Sequence, residues 1–132
     1  MSVTIKAWLS IGSTYTYLTA LRLRNVIEAS GIKLDIRPIS IRQIMKNMDN
    51  IPFPSSKKTK VDYMWRDIQR RAEFYSLPVP HVPAAYPLKE FDRANLVGIV
   101  MERDGKYLDY LEETYRAWFL DGLEAGSEQN LE

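Results

Sequence analysis

The chain has 132 residues, a net charge of +1, a single histidine and no cysteine. The length fits one domain, the near-neutral charge gives no footprint for a nucleic-acid partner, and the lack of cysteine excludes disulfides, thiolate metal sites and a protein-borne redox thiol. No apolar run is long enough to span a bilayer and the N-terminus lacks the layout of a signal peptide, so the expectation is no membrane and a reducing, cytoplasmic setting.

In chain order, Val3, Ile5, Ala7 and Leu9 alternate with Thr4, Lys6, Trp8 and Ser10. That period of two predicts a strand. Tyr17, Leu18, Leu21 and Ile27 then recur at helical spacing, which predicts one helix from about Thr14 to Ser30, stopped at Gly31. Gly12 and Ser13 sit where strand becomes helix. Glycine tolerates backbone angles that other residues avoid. Ser13 has two readings. As an N-cap it is worth about 1 kcal/mol. As a ligand residue, its hydroxyl donates to an anion held at the helix start, where unpaired N–H groups carry partial positive charge.

Ile32, Leu34 and Ile36 alternate with Lys33, Asp35 and Arg37, and Pro38 ends this second strand. Strand, helix, strand at this spacing predicts a parallel βαβ unit. Such a unit cannot bury both sheet faces alone, so the rest of the chain must cover it. Ser40 is placed to cap a short helix through Ile41, Ile44 and Met45, and 47–60 reads as a surface loop rich in proline, serine and lysine. A long helix follows, with Val61, Trp65, Ile68, Ala72 and Tyr75 on one stripe and Met64 beside it. The four prolines between Leu77 and Leu88 predict a stiff, extended connection. Two further helices are expected at about 89–103 and 106–120. The last buries Tyr107, Leu111, Tyr115, Trp118 and Phe119, and a polar tail from Asp121 frays.

Several residues read most simply as structure. His81 lies among Pro80, Val82 and Pro83, and a lone histidine makes no metal site. Asp62, Arg66, Asp67, Arg70 and Arg71 read as a solvated helix face with pairs Asp62–Arg66 and Asp67–Arg71. Tyr15, Tyr63, Trp65, Tyr75, Tyr86 and Trp118 read as core before they read as the lining of an aromatic-substrate pocket. Lys60, beside Lys57 and Lys58, reads as a solvated charge, and Asn50 as a turn residue before Ile51-Pro52.

The segment Ser13-Thr14-Tyr15-Thr16-Tyr17-Leu18 resembles the Ser-Pro-x-x-Tyr-Leu segment of 2-hydroxychromene-2-carboxylate isomerases and kappa-class glutathione transferases, in the DsbA-like branch of the thioredoxin fold. Lys60 to Arg70 is similar to the Lys-x-x-Tyr-x-x-x-Asp-Leu helix of that family, with Leu77-Pro78 following as it does there. Tyr115-Arg116-Ala117-Trp118 resembles the helix that closes its helical insertion. The resemblance implies an α/β chain with an incomplete thioredoxin-like (DsbA-like) fold. Residues 1–40 form the N-terminal βαβ, 41–126 the helical insertion and 127–132 a polar tail. The family's later strands, cis-proline loop and final helix have no counterpart in the sequence, which therefore reads as a fragment or a short form.

The resemblance also implies glutathione as cofactor. It places Ser13 at the glutathione sulfur as catalytic and binding residue, Lys60 at a carboxylate, and Asn50 in the binding loop. Thr14 stands where the family has proline, and Ser10 where many relatives have aspartate. The activity implied is a glutathione-dependent isomerisation of a small aromatic or enone substrate. The alternatives are a kappa-class-like transferase and a truncated, non-catalytic module that homodimerises or binds a partner.

Overall fold

The alternating residues at the N-terminus form β1 (Thr4–Leu9), and those after Gly31 form β2 (Lys33–Pro38). The computed structural model describes residues 3–51 and 53–132; Met1, Ser2 and Pro52, the last within the expected loop, lie outside the described residues. The strands run parallel, with Thr4 opposite Lys33 and Leu9 opposite Pro38. Among the described residues they make a two-stranded sheet. Burial increases toward the C-terminal end of β1: Val3 and Ile5 are exposed, Ala7 and Leu9 half-buried, and Ser10 and Ile11 buried.

The single helix expected at 14–30 is two. α1 (Thr16–Ala20) and α2 (Leu23–Ser30) meet at Leu21 and Arg22, where the Arg22 N–H reaches back only three residues, to the Thr19 carbonyl. Such a tight turn shifts the axis without unwinding the chain. It lets the two halves serve different partners. α1 buries Tyr17, Leu18 and Ala20 against α4 (Lys58–Phe74) and α6 (Tyr107–Leu120), whereas α2 carries no buried residue and crosses back toward β2. Gly31 ends α2 with a φ of 68°, the left-handed cap expected there. Ser40 caps α3 (Ile41–Asn47) by accepting the Gln43 N–H at 3.3 Å.

The core is built from aromatic side chains of α1, α4 and α6. Tyr17, Trp65, Tyr115, Trp118 and Phe119 stack at ring-centroid separations of 4.6 to 5.8 Å. Their polar tips reach backbone acceptors. The Tyr17 hydroxyl donates to the Pro78 carbonyl at 2.5 Å and the Trp118 indole N–H to the Ala85 carbonyl at 2.8 Å. The proline-rich connection is thereby fastened along its length, because each buried tip needs a partner and the connection has carbonyls to offer. Val61 is half-buried and Met64, Trp65, Ile68 and Ala72 are buried, as the stripe predicts, but Tyr75 ends the helix half-exposed, its ring 3.6 Å below the Arg22 guanidinium.

The expectation that the tail frays does not hold. Ala125 and Gly126 are buried, and α7 (Glu128–Leu131) follows, capped by Ser127. The Asn130 amide donates to the Thr114 and Leu123 carbonyls at 3.2 and 2.8 Å, and Arg93 on α5 (Phe91–Arg103) donates to the Gly126 carbonyl at 3.3 Å. Composition misled here, since a polar segment can dock as well through backbone and amide bonds as through apolar contact. Gly126 marks the tightest approach: a Cβ there would lie 2.3 Å from the Glu90 carbonyl oxygen, at a φ of 85°. Gly126→Ala is expected to cost more than about 1 kcal/mol and to release the segment after Gly122. The urea midpoint and the rate of proteolysis at residues 121–132 check this; an unchanged digestion pattern would mean that the tail does not depend on that contact.

Candidate active site

β1 ends in a turn, Ser10 to Ser13, whose backbone groups belong neither to the sheet nor to a helix. Buried peptide groups of this kind must find partners elsewhere. Two helices supply them. The Asn95 side chain on α5 accepts the Ile11 N–H at 2.8 Å and donates to the Ile11 carbonyl at 2.9 Å and to Phe91 on its own helix at 2.8 Å. The Tyr115 hydroxyl on α6 accepts the Gly12 N–H at 3.3 Å and donates to the Ser13 carbonyl at 2.7 Å. Burial pushes the Tyr115 phenol well above its ordinary value, so it remains a neutral hydroxyl able to donate and accept at once. Gly12 has a φ of 135°, a backbone angle that suits glycine and strains other residues.

Ser13 is not a helix cap. The N-cap of α1 is Tyr15, itself in right-handed helical conformation, and no side chain caps it. Ser13 acts in the fold through its carbonyl, which accepts from Tyr115 and from the Thr16 N–H. Ser13 is one of the residues that line a cavity of about 290 Å³. The turn contributes Gly12 through Tyr15 to that cavity. α3 contributes Ile41, Arg42 and Met45, and the remaining walls come from Phe53, Met64, Tyr86, Leu88 and Phe91. The lining is mostly apolar and aromatic and holds no carboxylate. Thr14, which stands where the resembled family has proline, is buried, and its hydroxyl lies 3.1 Å from the Met64 sulfur. Ser10, which stands where many members of that family have aspartate, is also buried. Its hydroxyl accepts the N–H of Ile41, the first residue of α3, at 3.1 Å. Both departures fasten a cavity wall to the turn.

The other two sequence-predicted residues lie outside the cavity. Lys60 stands at its margin, with the ammonium 5.7 Å from the centroid of the Phe53 ring. Asn50 is exposed in the turn after α3, where its N–H donates to the Met45 carbonyl at 2.8 Å. Sequence reasoning missed Arg42, Met45, Phe53 and Phe91 as cavity residues. Of the six aromatics weighed for a pocket, Tyr15 and Tyr86 line it, Trp65 and Trp118 are core, and Tyr63 and Tyr75 face solvent. Burial raises the Tyr86 phenol, against a backbone hydrogen bond at Phe53 and the charge of Arg42. His81 is exposed and away from this site, its N–H on the Phe119 carbonyl.

Beneath the turn lies a polar knot. The Tyr15 hydroxyl donates to Asp67 at 2.8 Å, and Arg70 and Arg71 donate to the same carboxylate at 3.1 and 3.0 Å. Asp67 is buried rather than part of a solvated face, because Tyr15 reaches over it. The pair Asp67–Arg71 forms as expected, but Asp62 pairs with Lys58 instead of Arg66. The Tyr15 bond and the two guanidiniums hold the Asp67 carboxyl below its ordinary range, while burial and Asp67 push the Tyr15 phenol up to about 12.

The model of the DSBA-like thioredoxin domain family matches residues 4–132. The chain belongs to that family. A solved structure of selenomethionine-labelled 2-hydroxychromene-2-carboxylate isomerase superimposes on this DsbA-like chain with a TM-score of 0.74 at 22% identity. The match covers 98% of this chain and 61% of the isomerase chain, so the DsbA-like chain spans less than two thirds of that protein's length. At that identity the likeness shows the fold. A search of curated proteins finds no match. The α/β thioredoxin-like architecture expected from the Ser13–Leu18 and Lys60–Arg70 segments is thus the one present, and no described helix is long and apolar enough to cross a membrane.

Two expectations follow. Asn95→Ala and Tyr115→Phe each leave buried turn groups without a partner and are expected to cost about 1–3 kcal/mol. Both act on one turn, so a double-mutant cycle in urea should show coupling of at least about 0.5 kcal/mol; strict additivity would show that they hold the turn independently. For Asp67, a depressed pKa stabilises the fold above the unfolded value of about 3.9 and loses that contribution as pH falls through the folded one. Wild type should therefore lose stability faster than Asp67→Asn on acidification below about pH 4, read as the urea midpoint of each against pH. Parallel curves would remove Asp67 from the acid response.

Proposed function

We propose that this chain carries the glutathione site of an isomerase of the 2-hydroxychromene-2-carboxylate type, with Ser13 as the residue that meets the glutathione sulfur. One observation carries the reading. Ser13 lines an apolar, aromatic cavity from a turn whose backbone is fixed by Asn95 and Tyr115, while the bonds Ser13 makes within the fold run through its carbonyl. The fit at the sulfur end is good. A free thiol has a pKa near 8.5, and a hydroxyl donor in a site without a carboxylate favours its charged form. At the peptide end, Lys60, whose ammonium is 5.7 Å from the Phe53 ring, is the cation offered to a glutathione carboxylate, and Asn50 is exposed in the turn after α3.

When bound, glutathione supplies a thiol nucleophile that can add to a conjugated double bond and leave again, which permits rotation between the two events. The chain's own residues do the rest. The Ser13 hydroxyl donates to the sulfur. Tyr86, Phe53 and Phe91 give the cavity an aromatic lining that suits a flat, conjugated substrate. Met45, Met64 and Leu88 exclude water, and a drier site strengthens the serine–sulfur bond. The likeness to the isomerase supports this substrate class through the fold alone. The absence of a cysteine from the sequence turns the reading away from disulfide exchange.

Calorimetry with glutathione at millimolar concentration tests the first half of the reading; a folded protein that releases no heat would sink it. Ultraviolet absorbance of the bound thiolate tests the role of Ser13. In Ser13→Ala the thiol should titrate at least about one pKa unit higher, which makes the thiolate about tenfold scarcer when the thiol is mostly protonated. Equal thiolate fractions in the two proteins would reduce Ser13 to a turn residue.

A further inference from the structure

α5 is apolar on more than one side, and the fold covers only part of it. Ala94, Asn95 and Gly98 are buried. Gly98 lets α6 come close, since a Cβ there would lie 3.1 Å from the Tyr107 ring. Another side of the same helix is uncovered: Leu96, Ile99 and Val100 are 62%, 51% and 44% exposed. Residues three and four positions apart stand together on a helix, so the three make one apolar patch. Leu96 and Ile99 also line a groove of about 120 Å³ with Pro38, Ile39 and Asn95. That is a little less than the about 150 Å³ that takes a benzene molecule, and it suits one aliphatic side chain. Contiguous exposed apolar surface of this kind marks a contact with another molecule.

The charges around the patch say which molecule. Asp92, Leu96, Ile99 and Arg103 follow one another at steps of four, three and four, the spacing of a seam between two helices. Asp92 lines the same groove as Leu96 and Ile99. Among the described residues Asp92 forms no ion pair, and Arg103 pairs only with the exposed Asp104, at 3.5 Å. The neighbouring charges are engaged elsewhere: Arg93 lies 3.7 Å from Glu90 and donates to the Gly126 carbonyl, and Glu102 lines a separate groove with Arg24 and Leu34. An apolar stripe that is negative at one end and positive at the other is complementary to itself reversed. A two-fold axis between Val97 and Gly98 brings Asp92 of each copy level with Arg103 of the other, and Leu96 level with Ile99. The net charge of +1 sets no long-range repulsion against such a pairing.

We propose that a second copy of this chain occupies the face, docked through α5 antiparallel to itself, with the Leu96, Ile99 and Val100 patches buried against each other and an Asp92–Arg103 pair at each end. None of these five residues lines the Ser13 cavity. The dimer is therefore independent of the proposed isomerase activity, and either reading can fail alone.

Sedimentation velocity of the full chain at up to about 100 μM, a range that detects micromolar dissociation constants, tests this. Wild type should show a monomer–dimer equilibrium, and Leu96→Glu should sediment as a monomer throughout. Asp92→Lys and Arg103→Glu each set like charges against one another at both ends, and each should weaken the dimer about tenfold. Mixing those two variants restores opposite charges at both ends, so the mixture should form a heterodimer with nearly the wild-type affinity. Asp92→Lys/Arg103→Glu in one chain should restore the homodimer in the same way, and Ser13→Ala should dimerise as wild type does. Circular dichroism checks that each variant is folded. If a charge reversal disturbs α5, Asp92→Asn and Arg103→Gln replace it, each expected to weaken the dimer about threefold. A wild type that stays monomeric at about 100 μM would overturn the proposal and leave the stripe to a different partner. A dimer that survives Leu96→Glu, or a mixture of the two reversals that associates no better than either alone, would overturn it as well.

Discussion

The structure depends on one buried turn. Ile11, Gly12 and Ser13 leave the sheet before any helix begins, so their peptide groups have no regular ladder to join. Asn95 and Tyr115, separated from them by 84 to 103 positions in the chain, provide the missing donors and acceptors. An amide and a phenol suit the task because each can donate and accept at the same time. The arrangement has a consequence for folding order. The turn cannot be buried in its final form until α5 and α6 have docked, since an unpartnered peptide group inside the protein costs about 1–3 kcal/mol. The helical region is therefore part of the site's construction.

From that turn the fixing spreads outward by short steps. Ser10 fastens the start of α3, Thr14 touches Met64 on α4, and Tyr15 reaches Asp67 one turn further along the same helix. The first contact joins the turn to α3 and the other two join it to α4. The aromatic core beneath does the complementary work: Tyr17 and Trp118 bind the proline-rich connection that carries Tyr86 and Leu88 into the cavity. A proline-rich segment has few N–H groups of its own to satisfy. It is held well by side-chain donors that reach its carbonyls.

What could be read from the sequence was periodic. Both strands, the parallel pairing, the buried stripe of α4 and the buried face of α6 follow from spacing, because apolar burial is repeated and tolerates small errors of position. What could not be read was single and polar. Asn95 sits in a helical pattern like any exposed amide, and only the approach of Ile11 gives it a role. Asp67 has the spacing of a solvated face and is buried by a tyrosine from another element. Ser13 shows the same limit from the other side. Its residue type and place suggested a helix cap, but the chain enters α1 through Tyr15 in helical conformation, so no capping geometry arises. The tail reversed its expected behaviour for a similar reason, since its attachment lies in amide and carbonyl bonds that composition does not reveal.

The turn and α3, which both line the cavity, are held by different physics. At the turn, polar groups are paired and buried, positions are fixed by several hydrogen bonds each, and the exposed chemistry is a single hydroxyl. At α3, the Arg42 and Lys46 charges rest on the Phe91 ring, a weak and non-directional attraction of about 0.5–1 kcal/mol at exposed sites. A rigid hydroxyl suits a reacting atom, for which a displacement of about 1 Å is costly. The charge at α3 also depends on the turn for its position, because the Ser10 hydroxyl holds the helix that carries it. Ser10 thus links the two. Its replacement by alanine would free the Ile41 N–H and let α3 shift relative to Ser13, although Ser10 does not itself line the cavity.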